Sequence, residues 1–215
     1  MDMEVSPLDQ APEPPTGRRE RNKRDKLRRI LAAATRLFNE KGFEQTTTQA
    51  IADAADIGTG TLFLYAKTKE DLLIMVFQDE MIAESRAAVR ALSPEAPLIE
   101  QLMSVFEVMI AYHARDIELA RVLIKEISIP SSARTHPYIH TLMKEIYSGL
   151  GAIVATGQKQ GRLRADIDPI VAGEAIFGAY YIGLIAWLAG MTPRPLFVTR
   201  LRKRLIVLLS GLETR

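Results

Sequence analysis

Apolar residues recur along most of this chain with the period of an α-helix. Leu27, Ile30, Leu31, Ala34, Leu37 and Phe38 fall at i, i+3, i+4, i+7, i+10 and i+11, one face of a helix that the Lys41-Gly42 pair should end. A short segment follows, with Thr47 placed to cap it and Ile51, Ala52 and Ala55 as its apolar face. Asp56-Ile57-Gly58 then reads as a turn, because Asp tolerates the left-handed conformation better than most residues. Thr59 to Tyr65 forms a third short helix. A fourth begins at Thr68-Lys69-Glu70-Asp71, a capping-box pattern with Asp in place of Glu, and should run to about Leu92, where Ser93, Pro94 and Pro97 break the chain. Further helices are expected at about 98–113, 117–127 and 136–160, the last ending at Gly161. Asp168-Pro169 supplies an N-cap with proline at the first helical position. Thr192-Pro193-Arg194-Pro195 ends that helix, and Leu196 to Leu212 is the last. No strand pattern, fixed-period repeat or metal-binding cysteine spacing is visible. The pattern predicts an all-α protein of about nine helices.

Composition changes this picture in few ways. At 47% hydrophobic and 25% charged residues the chain can bury a sizeable core, as ordinary soluble domains do. Cysteine is absent, which excludes disulfides, thiolate metal sites and a cysteine nucleophile, and agrees with an expected cytoplasmic location. The net charge of +2 conceals an asymmetry. Arg18 to Arg29 holds eight basic residues against Glu20 and Asp25, leaving twenty basic and twenty-four acidic residues elsewhere. A basic segment on a mildly acidic body is what a phosphate-binding arm looks like. Residues 1–17, with Pro7, Pro12, Pro14 and Pro15, read as a disordered tail.

Three helices with a tight turn between the second and third fit a helix-turn-helix. Ala52 and Ala55 are small enough for close helix approach, while Ile51, Leu62, Leu37 and Phe38 can share a core. Thr59, Gly60, Thr61, Phe63 and Tyr65 are compact or flat and suit a helix entering a major groove about 12 Å wide. Tyr65 and Thr61 can donate to phosphate oxygens. Lys69, at the start of the next helix, sits where the helix dipole also favours an anion.

Residues 42–55 (Gly-Phe-Glu-Gln-Thr-Thr-Thr-Gln-Ala-Ile-Ala-Asp-Ala-Ala), Gly60 to Tyr65 and Thr68 to Leu72 together resemble the tetracycline-repressor (TetR) family of transcriptional regulators. The resemblance covers about residues 26–73. It implies that Thr48 and Gln49 approach DNA from the second helix, with the capping Thr47 beside them. It also implies that Thr59, Gly60, Thr61, Phe63, Leu64 and Tyr65 form the recognition helix and that Lys69 holds a phosphate. Four residues depart from the family pattern. Asp56 stands where glycine is usual, Phe63 replaces tyrosine, Ala66 replaces phenylalanine, and Gly58 is a weaker cap than serine.

The expected organisation is a tail at 1–17, a DNA-binding domain with its basic arm at 18–70, and an effector-binding and dimerisation domain at 71–215. The stretch Ala175 to Met191 carries no charge, as a helix internal to a subunit interface would. Gly178, Ala179, Gly183 and Ala186 would let a partner helix come close. The last helix carries Phe197, Leu201, Leu205, Leu208 and Leu212 on one stripe, and the resemblance implies a homodimer through these last two helices. Phe106, Met109, Ile110, His113, Leu123, Tyr147, Phe177 and Tyr181 are candidates to line a site for a small, mainly apolar effector, although ordinary core has the same composition. His136 and His140 are spaced i, i+4, but only Glu145 is near enough to add a ligand, so they read as surface histidines. No cofactor, no metal and no enzyme motif is expected. The partners expected are a palindromic DNA operator, a second copy and a small-molecule effector. The alternative is a membrane-associated or purely protein-binding helical protein, resting on residues 175–191, which are only 17 residues long.

Overall fold

The computed structural model describes residues 17–91, 95–130 and 136–212. The expected tail (Gly17 apart), the break at Ser93-Pro94 and residues 131–135 between the expected helices at 117–127 and 136–160 lie outside the described residues. Among those described, nine elements occur in the order α1 (Arg18–Gln45), α2 (Thr48–Ala54), α3 (Thr59–Leu62), α4 (Lys69–Arg90), α5 (Leu98–Arg115), α6 (Ile117–Ser128), α7 (His136–Lys159), α8 (Pro169–Leu188) and α9 (Arg194–Leu212). All are helical, as the periodicity predicts.

They form two compact units that do not follow chain order. One contains the described residues of Ala11–Glu80 together with Asp116–Leu142, and the other contains Met81–Arg115 and Met143–Arg215. Helices α4 and α7 each contribute residues to both.

In the first unit the basic segment is not an extended arm. It is the start of α1, which begins at Arg18, ahead of the first apolar position. The buried face of α1 is Ile30, Ala33, Ala34, Leu37, Phe38 and Phe43. The helix breaks at Gly42, whose φ of 77° is a glycine conformation, and a short turn carries it to Gln45. Buried Thr46 closes this end, its hydroxyl donating to the carbonyls of Leu37 at 3.1 Å and Gly42 at 2.8 Å. The Oγ1 of Thr47 accepts from the Ala50 amide at 3.1 Å, so the expected cap of α2 is formed. Asp56 adopts φ 53°, the left-handed turn conformation expected of it. The start of α4 is a capping box. Thr68 Oγ1 accepts from the Asp71 amide at 3.0 Å, and Asp71 Oδ2 accepts from the amides of Thr68 at 3.0 Å and Lys67 at 2.8 Å.

In the second unit Asp168 caps α8, accepting from the Ile170 amide at 2.7 Å. The buried face of α8 is Ala172, Gly173, Ile176, Phe177, Tyr180, Gly183, Leu184 and Leu188. It packs on Phe197, Leu201, Leu205 and Leu209 of α9. Gly183 is a contact within the chain: a Cβ there would lie 2.4 Å from the Phe197 ring. The sequence assigned Gly183 to a partner helix; α9 of the same chain occupies that space. Gly173 similarly backs onto α7, where a Cβ would meet the Tyr147 carbonyl at 2.9 Å. Arg202 of α9 grips Glu100 of α5 with two hydrogen bonds, at 2.8 and 2.9 Å.

Candidate functional site

The helix-turn-helix is built from α2, the turn at Asp56 and α3. Gly58 precedes α3 without a side-chain cap, and the α-helical part spans only Thr59–Leu62, shorter than the seven residues expected. Phe63, Leu64 and Tyr65 continue it as a turn, with the Leu64 amide on the Thr61 carbonyl at 3.1 Å and the Tyr65 amide on the Leu62 carbonyl at 2.8 Å. An uncapped, glycine-containing segment ends early for lack of propensity. Leu62 is fully buried and anchors it, whereas Gly60 and Phe63 are exposed and Leu64 is 79% exposed. An exposed leucine in the turn after a short helix presents methyl groups to whatever docks there, as contact with a thymine methyl requires.

Tyr65 is fixed at both ends. Its hydroxyl donates to the Lys23 carbonyl of α1 at 3.4 Å, and its own carbonyl accepts from the Tyr138 hydroxyl at 2.8 Å. Tyr138, in the first turn of α7, was not singled out from sequence, because nothing local links positions 65 and 138. Burial, and then the charge of Asp71, push the Tyr138 hydroxyl above its ordinary pKa. It therefore stays protonated as a donor.

Thr48 and Thr61 are half-buried and Gln49 is exposed. Gln49 Nε2 donates to Asp53 Oδ1 at 2.8 Å, and its Oε1 accepts from Thr59 Oγ1 at 2.5 Å. Lys69 lies otherwise than its proposed phosphate role suggests. Its ammonium donates to the carbonyls of Phe43 at 2.7 Å and Glu44 at 3.4 Å and sits 4.2 Å from the Phe43 ring centroid. It thus satisfies the carbonyl end of α1 and keeps one donor for an outside group. Around this surface α1 exposes Arg18, Arg19, Arg21, Lys23, Arg24, Lys26 and Arg28.

Seven of the eight effector candidates belong to the second unit. Phe106, Met109, Ile110 and His113 of α5 and Phe177 of α8 are buried, while Tyr147 and Tyr181 are half-buried. Leu123 is buried in α6, in the other unit. The aromatic members meet: Phe177 lies 5.4 Å from Tyr181 and 5.7 Å from Tyr147 between ring centroids. Their centre is a residue that sequence reasoning missed. Tyr180 is fully buried, stacked on Phe106 at 4.7 Å and against Phe177 at 5.8 Å and Phe197 at 5.9 Å. Its hydroxyl has no hydrogen-bond partner among the described residues, and burial holds its pKa well above the usual value. The i, i+3 relation to Phe177 was the available signal. His113 is pushed down to about 4 by burial, so it is neutral near pH 7.

The alternative membrane reading meets one relevant observation. Among the described residues one helix, Pro169–Leu188, is long and apolar enough to cross a bilayer, by length and composition only. One face of it is instead committed to α9 and α7. The opposite stripe of Val171, Glu174, Ala175, Gly178 and Ile182 is exposed, and α9 adds exposed Ile206 and Val207.

Residues 30–76 match the sequence model of bacterial regulatory proteins of the tetR family. The fatty acid metabolism regulator protein of Bacillus subtilis is 28% identical over 167 residues, 78% of this chain and 86% of that protein. The HTH-type transcriptional repressor KstR2 of Rhodococcus jostii is 26% identical, over 77% of this chain and 78% of that one. Among solved structures, Thermus thermophilus FadR, a TetR-family repressor in complex with lauroyl-CoA, is similar at a TM-score of 0.74 and 28% identity, covering 88% of this chain and 96% of that one.

Proposed function

We propose that this chain is a member of the tetR family of bacterial regulatory proteins, whose sequence model matches its residues 30–76, and that it is a cytoplasmic transcriptional repressor of fatty-acid genes, released from a palindromic operator by a fatty acyl-CoA. The chain is a DNA-binding regulator rather than an enzyme. The observation that carries the effector class is the likeness, over 88% of this chain, to a repressor that holds lauroyl-CoA. The aromatic cluster around Tyr180 supports it, since an acyl chain needs an apolar environment with a few hydrogen-bonding tips.

In this reading residues 18–70 read DNA, with Thr47, Thr48, Gln49, Thr59, Gly60, Thr61, Phe63, Leu64 and Tyr65 facing the groove and the third donor of Lys69 on a phosphate. Residues 71–215 hold the effector, with Phe106, Met109, Ile110, His113, Leu123, Tyr147, Phe177 and Tyr181 as lining candidates. The exposed apolar stripes of α8 and α9 are the homodimer surface. Two copies read two half-sites with correlated geometry. Release is a population shift toward a dimer whose recognition helices are wrongly spaced, with α4 as the lever.

Binding of the purified protein to its own upstream DNA and to a scrambled duplex, at two salt concentrations, tests the regulator. Lauroyl-CoA added to the specific complex tests the effector. Selective binding that weakens with salt and is reversed by the acyl-CoA is expected. Selective binding that no acyl-CoA of any chain length reverses would remove the effector class and leave the regulator standing.

A further inference from the structure

The side chain of Gln49 is held before any DNA arrives. Asp53 braces it from the next turn of α2, and Thr59 braces it from across the turn at the start of α3. A carboxylate only accepts, so the bond to Asp53 fixes the amide nitrogen on that side. The reversed amide would set its carbonyl against the carboxylate and its nitrogen against the Thr59 hydroxyl. Only one orientation satisfies both neighbours.

This bracing consumes one of the two amide N–H groups and one of the two carbonyl lone pairs. One donor and one acceptor remain on a single exposed planar group. In the major groove adenine presents an acceptor, N7, beside a donor, the 6-amino group. Guanine presents two acceptors, cytosine a donor, and thymine an acceptor beside a methyl group. Only adenine matches a side-by-side donor and acceptor.

We propose that Gln49 reads an adenine in each half-site, and that Asp53 and Thr59 are positioning residues that select the base by fixing the amide. The inference rests on the DNA-reading function proposed above and adds the base and the residue that enforces it. Ordering a glutamine side chain costs rotamer entropy; here that cost is met within the free protein, which favours selectivity.

The test uses the full-length protein to enrich binding sites from a random-sequence DNA duplex library. The enriched duplex then competes with versions in which single base pairs are replaced. One A·T pair per half-site should be preferred by about tenfold over the other three pairs. Gln49→Ala should erase that preference while the rest of the motif persists. Asp53→Asn keeps the shape but can accept or donate, so the preference should shrink to about twofold. The same change removes a negative charge from the proposed DNA-reading surface and should raise affinity for all duplexes, which a misfolded protein cannot do. A motif unchanged by Gln49→Ala would overturn the inference, and an adenine preference undiminished in Asp53→Asn would overturn the positioning role. If no sequence is enriched at all, both the inference and the reading beneath it fail.

Discussion

His113 shows how one buried side chain sets a pH limit. Its folded pKa is pushed down to about 4 from 6.5 by burial. Between those values the unfolded chain takes up a proton that the folded chain refuses. The stability it contributes is therefore complete above pH 6.5 and declines as pH falls toward 4, by about 3 kcal/mol at most. Urea midpoints at pH 7 and pH 5 should differ more for the natural chain than for His113→Leu. Tyr180 offers a second residue-scale test. Its hydroxyl is buried without a hydrogen-bond partner among the described residues, so Tyr180→Phe should stabilise the free protein by about 1 kcal/mol. If the hydroxyl meets an effector's carbonyl, the same change should weaken acyl-CoA binding several-fold in calorimetry. Among single residues, Thr47, Asp56 and the Thr68–Asp71 box were legible in sequence because capping and turn chemistry act over a few positions. Tyr138 and the clamp made by Lys69 were not, because their partners are set by packing between separate helices.

At the level of elements, the basic end of α1 is unfavourably placed for its own helix. Arg18, Arg19 and Arg21 lie at the positive pole of the helix, with Glu20 alone to offset them, and Gly17 supplies no side-chain cap. Phosphates would relieve that repulsion. Replacing Arg18, Arg19 and Arg21 with glutamine should leave the fold intact and flatten the salt dependence of DNA binding. The slope should fall by about 0.9 log units for each phosphate that is no longer neutralised, and an unchanged slope would dissociate this helix end from DNA. The α8–α9 pair is limited by space: Gly183→Ala puts a methyl group on the buried Phe197 ring and should cost about 1–3 kcal/mol in thermal unfolding. Helix existence was readable from period alone. The helical start of α1 was not, because Arg18 to Arg24 carry no apolar periodicity, and α3 was overestimated because its second half is only a turn.

Across the whole molecule, the proposed function requires operator and effector to oppose each other equally. Operator DNA should weaken lauroyl-CoA binding by the same factor by which lauroyl-CoA weakens operator binding. Calorimetry with and without the duplex measures that factor, and unequal factors would break the linkage. The exposed stripe of α8 gives a separate prediction. Ile182→Glu should yield monomers in analytical ultracentrifugation and lower operator affinity on the order of 100-fold, the avidity of a paired reader. Both helices that contribute to the two compact units, α4 and α7, were visible in sequence as long periodic segments. Their division at Glu80 and at Leu142 was not, because nothing in a continuous helix marks where its packing partners change.

The Tyr138–Tyr65 bond, finally, bears on how quickly the reader can be remodelled during evolution. It reaches the recognition segment through a backbone carbonyl, which every residue type supplies. Under the proposed function, the side chains at 63, 64 and 65 can therefore be exchanged for a new operator without losing this anchor. Drift in what is read is thereby uncoupled from how the reader is held.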